Sequence, residues 1–105
     1  MGIGLEARNV IDFATLAVVN TAAVGLSSAS PTLTAGHTVK RAFITVETDQ
    51  VRWRSDGTAP TSSEGHLLSV GDTLQFLDAN YESVLRDIKF NAVTTTAALK
   101  ITYYD

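Results

Sequence analysis

At 105 residues and a net charge of −3, the chain has room for one compact domain and lacks the basic footprint that phosphate backbones demand. A second core is therefore excluded, and the charge argues against a nucleic-acid partner, short of a local basic stripe. Its 45% hydrophobic and 18% charged content belongs to a folded protein, and the absence of cysteine removes disulfides, zinc–thiolate sites and thiol nucleophiles together.

Fourteen Thr, ten Val and five Ile favour pleated surfaces over helices. Turn signals recur at short spacing, at Gly25, Pro31, Gly36, Asp56-Gly57, Pro60, Gly65, Gly71-Asp72 and Asp78-Ala79-Asn80. Short runs between frequent turns predict a β-sandwich or barrel.

In chain order, the opening Met1-Gly2-Ile3-Gly4-Leu5-Glu6 has no basic stretch before an apolar run, so it is not expected to be a secretory signal. Glu6 stands where a myristoylation motif wants Ser or Thr. The apolar run from Ala14 to Leu26 falls short of the ~20 residues a bilayer span requires and is broken by Asn20, so no membrane contact is expected. Strands are predicted at 14–19 and 23–26, then a Ser/Thr-rich loop over Ser27–Thr38.

Three later strands are the clearest. In 40–48, Ala42, Ile44 and Val46 share one face, opposite Thr45 and Glu47. In 50–55, Val51 and Trp53 point one way, Arg52 and Arg54 the other. In 97–104, Leu99, Ile101 and Tyr103 alternate with Lys100, Thr102 and Tyr104. Further strands are expected at 65–69, 72–77 and 84–91. Two segments also fit a helix: Leu77, Tyr81, Val84 and Ile88 with Asn80 as a cap, and Val10, Phe13 and Ala17.

Charge is distributed unevenly. From Asn9 to Val39 the only charged residue is Asp12. A third of a chain without charge is expected to be hidden, in its own core or against another protein.

Catalytic chemistry has little to stand on. His37 and His66 are the only groups that titrate near neutrality unaided. His66 with Asp56, Ser62 or Ser63 can be written as a triad, but no G-x-S-x-G elbow accompanies it, and the chain is read as not an enzyme. Two histidines 29 positions apart make no metal-ligand set, and no calcium loop, P-loop or dinucleotide fingerprint appears, so no metal or cofactor is expected. Trp53 beside Arg52, Arg54 and Asp56 has the make-up of a sugar-binding patch, although a lone Trp at strand spacing also fits core packing. The loop from Asp56-Gly57 through Pro60 to His66 follows a strand carrying two arginines. Their guanidinium groups suit bidentate bonds to a partner's carboxylates.

The stretches Ala42–Thr48, Val51–Thr61 and Glu64–Leu68, with the ending Leu99–Tyr104, resemble small structural proteins of tailed bacteriophages, among them capsid decoration, or cement, proteins. The resemblance covers about residues 40–104. It implies an all-β fold, a single jelly-roll-like β-sandwich of about eight antiparallel strands, here residues 14–105 after an N-terminal arm of residues 1–13. It also implies a virion protein made in the bacterial host cytoplasm and placed on the capsid exterior. Its partner there is the major capsid protein, with a homodimer or homotrimer expected on the shell. The interface expected on this reading is Ile3, Leu5, Val10, Ile11 and Phe13, together with Arg52, Arg54 and Asp56. Competing readings are a carbohydrate- or receptor-binding module of a phage tail or fibre, and a head–tail connector or tail subunit.

Overall fold

The computed structural model describes residues 10–26, 39–78 and 80–105. Eight strands and one short helix follow one another: β1 Val10–Val18, β2 Val24–Gly25, β3 Arg41–Glu47, β4 Val51–Arg54, β5 His66–Leu68, β6 Thr73–Phe76, α1 Glu82–Asp87, β7 Lys89–Ala92 and β8 Ala97–Tyr104. They form two four-stranded antiparallel sheets, in the orders β1-β8-β3-β6 and β2-β7-β4-β5.

The pairing has a simple logic. β1 pairs with β8, β2 with β7, β3 with β6 and β4 with β5, as in one long ribbon folded at its middle. Rolling that ribbon brings β8 against β3 and β7 against β4. This is the winding of a jelly roll. The fold class expected from the sequence is the one observed.

Period-2 patterning explains why the sheets face each other. β8 alternates without exception, burying Ala97, Leu99, Ile101 and Tyr103. β3 buries Ala42, Ile44 and Val46, and β1 buries Ala14, Leu16 and Val18. Between the sheets these meet Val51, Phe90 and Ala92, with Leu85 and Ile88 closing the core. Each large apolar side chain so enclosed contributes roughly 1.5–3 kcal/mol relative to exposure.

Three expectations need correction. The first strand begins at Val10, so residues 10–13 belong to the sandwich and not to an arm that ends at 13. The helical alternative for Val10, Phe13 and Ala17 is replaced by strand geometry, because pairing with β8 buries the alternate residues. Residues 1–9, and the whole of 27–38 where a Ser/Thr-rich loop was expected, lie outside the described residues.

The strand expected at 84–91 splits. Residues 82–87 form α1, and only Lys89–Ala92 pair in the sheet. The helical spacing of Val84, Leu85 and Ile88 wins locally because it drops Leu85 and Ile88 into the core in a single turn. Asn80 Oδ1 accepts the Glu82 N–H at 2.9 Å, and Glu82 pairs with Arg86 one turn on at 2.7 Å. The chain turns extended at Ile88, whose φ of −63° and ψ of 139° end the helix.

Candidate binding surfaces

Two surfaces carry the side chains singled out in the sequence. The first is the outward face of the β1-β8-β3-β6 sheet. Register places Phe13, Thr102, Phe43 and Gln75 in one cross-strand row, and Thr15, Lys100, Thr45 and Thr73 in the next. Ala17, Ala98 and Glu47 make a third. Lys100 Nζ donates to Thr15 Oγ1 at 3.2 Å, so the central cation lies along the face. A fourth row holds Val10, Tyr104 and Arg41, so the surface is one of threonine, alanine and aromatic side chains with three charges, Arg41, Glu47 and Lys100.

This face divides the charge-poor opening third. Ala14, Leu16, Val18, Leu26 and Val39 are packed inside the chain's own core, whereas Val10 and Phe13 are 64% and 59% exposed. Ile11, also expected at an interface, is partly buried and packs against the core. Ile3 and Leu5 lie outside the described residues, as does His37. Phe43 was not singled out from the sequence. Its signal was present: a phenylalanine on the Thr45 side of a strictly alternating strand.

The second surface is the loop between β4 and β5. Arg52 donates to the carbonyls of Ser62 (3.2 Å) and Gly65 (3.0 Å), and Arg54 grips Asp56 through two bonds of 3.0 and 2.5 Å. Both guanidinium groups, expected to reach for a partner's carboxylates, are thus used to brace their own loop. The Arg54 guanidinium and the Thr58 N–H hold the Asp56 carboxyl at about 2, well below its usual range. The same bond to Asp56 raises the Arg54 pKa.

The loop is compact. Thr61 Oγ1 accepts the N–H groups of Ser63 and Glu64 at 3.2 and 3.0 Å, and Pro60 is buried within an otherwise exposed stretch. Gly65 has a φ of +132°, and a Cβ there would meet Arg52 Cβ, Pro60 Cβ and the Trp53 carbonyl oxygen at 3.1 Å each. Only glycine fits that crossing point.

Beside the loop lies an open cleft of about 400 Å³ lined by Arg54, Ser55, Asp56, Glu64, Gly65 and His66. The His66 ring sits 4.8 Å from that of Trp53, which also meets Phe76 edge-on at 6.2 Å. Trp53 packs against the core, as its strand spacing suggested. In this arrangement Asp56 is turned to Arg54 and His66 to Trp53, so the triad that can be written from the sequence is not assembled. Among the described residues no cluster of three His, Asp or Glu side chains is placed to hold a metal ion. Nor is any helix there long and apolar enough to cross a membrane.

Comparison with known protein families, curated proteins and solved structures finds no match.

Proposed function

We propose that the protein is a virion structural protein, a capsid decoration or cement protein that binds the outer surface of a shell of major capsid subunits. The observation that carries this reading is the outward sheet face on which the exposed Phe13 lies in one row with the half-buried Phe43, beside the exposed Val10. Apolar surface of this kind on a small sandwich marks a contact with another protein. The likeness of residues 40–104 to tailed-phage structural proteins names the kind of protein it contacts. The partner chemistry is a broad, weakly ionic protein surface, met many times over on a shell, so modest contacts add through multivalency.

The test is co-sedimentation of the purified chain with assembled phage heads, alongside a Phe13→Asp variant. Binding by the wild type that falls at least tenfold in the variant supports the reading. Heads that pellet without the protein overturn it.

The cleft favours a second reading, a carbohydrate-binding module of a tail or fibre. Carboxylates of Asp56 and Glu64 line it with His66, whose ring is tilted 42° against that of Trp53. Glycan-array binding that disappears in Glu64→Gln would favour this reading over the shell.

A further inference from the structure

Strand β1 is an edge of its sheet: β8 lies on one side, and among the described residues no strand lies on the other. Folded proteins normally blunt such edges with lysines, prolines or bulges, because an open ladder of N–H and C=O groups is a template for another strand. β1 has an irregularity between Val10 and Asp12, but from Phe13 to Val18 it carries no charge and no proline. That unguarded stretch is six residues long, about the length of an ordinary strand.

We infer that this edge pairs antiparallel with the same edge of a second copy, about a twofold axis beside Thr15, joining two four-stranded sheets into one of eight strands. Thr15 is the centre of the regular stretch Asp12–Val18, so a register centred there uses all of it. Phe13 of one copy then faces Ala17 of the other, Leu16 faces Ala14, and Thr15 faces Thr15. Large residues meet small ones on both faces of the sheet. A register centred on Asp12 would set two carboxylates opposite each other. A twofold pairing needs a self-complementary patch, and the Thr15-centred register provides one. It also keeps the Phe13 face of both copies on one side, as a single continuous surface. The inference rests on the edge alone and holds whether or not the partner of that surface is a shell.

The chain has no cysteine, which makes a direct test possible. Opposed Cα atoms in an antiparallel pair lie about 4.5–5.5 Å apart, within the roughly 4.4–6.8 Å a disulfide spans. Under mild oxidation Thr15→Cys is expected to form a covalent dimer at least tenfold faster than Thr45→Cys, which sits on the same face two strands from the edge. Sedimentation equilibrium of the wild type is expected to show a monomer–dimer equilibrium in the micromolar range. The double variant Phe13→Lys with Ala17→Glu, which sets opposite charges across the axis, keeps that equilibrium. Phe13→Lys with Ala17→Lys weakens it at least tenfold. A wild-type chain that sediments as a monomer throughout overturns the inference, and so does cross-linking of Thr45→Cys as fast as Thr15→Cys. Dimers that ignore phage heads would leave the pairing standing and sink the shell reading; monomers that bind heads would do the reverse.

Discussion

The carboxylate of Asp49 accepts the backbone N–H of Thr94 at 2.8 Å, a bond that spans 45 positions of sequence. The same oxygen accepts the Thr95 N–H at 2.8 Å, and the other oxygen takes that of Gln50. Asp49 sits where the chain passes from one sheet to the other between β3 and β4, so it ties that corner to the β7–β8 turn. Asn20 reinforces the same end, donating to the Thr94 carbonyl at 2.7 Å.

Those N–H groups lower the Asp49 pKa, with Thr95 and Thr94 the leading causes. A carboxylate depressed in the folded state stabilises it above the unfolded value near 3.8, and the contribution is lost as pH falls through the lower folded value. Asp49→Ala is expected to destabilise the protein by about 1 kcal/mol at neutral pH, with the difference shrinking in acid below pH ~4. Urea denaturation at pH 7 and pH 3 measures both.

Thr48, one residue earlier, has a φ of 79°. The Asp49 N–H donates to the Glu47 carbonyl at 3.0 Å across it, which makes a three-residue γ-turn with a β-branched residue at its strained centre. Thr48→Gly is expected to raise stability by about 0.5–1 kcal/mol, since the relief of strain exceeds the added entropy of the unfolded chain. Thermal melts that show the variant less stable would contradict the strain.

Tyr103 is fully buried, and its hydroxyl has no hydrogen-bond partner among the described residues. Burial, with the nearby Asp12 charge, pushes its pKa upward. Tyr103→Phe removes an unsatisfied polar atom and is expected to stabilise the fold by about 1 kcal/mol. A group whose folded pKa is raised supports the folded state fully below its unfolded value of 10.0 and withdraws that support as pH rises beyond it. The wild type should therefore lose stability above pH ~10 more steeply than Tyr103→Phe, as followed by near-ultraviolet circular dichroism.

Gly65 and Gly57 both have positive φ, yet they predict different outcomes. Nothing lies within 4 Å of a Cβ at Gly57, whereas three atoms lie at 3.1 Å at Gly65. Gly57→Ala is expected to cost about 1 kcal/mol of backbone strain, and Gly65→Ala about 2–3 kcal/mol because packing is disturbed as well. Equal midpoints in chemical denaturation would show that the loop does not pack as described.

The sequence by itself determined which side chains face inward along β3 and β8, because a period of two is set by backbone geometry within a few residues. Trp53 was legible as a core residue and Gly57 as a turn for the same local reason. At 82–87 two local patterns competed, and only the burial of Leu85 and Ile88 against both sheets decided for the helix. The tertiary structure decided that Arg52 turns back on its own loop, since Ser62 and Gly65 meet it only once β4 and β5 pair, whereas Arg54 meets Asp56 just two residues on. It also decided that β1 joins β8 and, among the described residues, stands at the edge of its sheet. Strand partners some 85 positions apart, such as Thr15 and Lys100, are chosen by the closure of the whole core, and no short stretch of residues carries that choice.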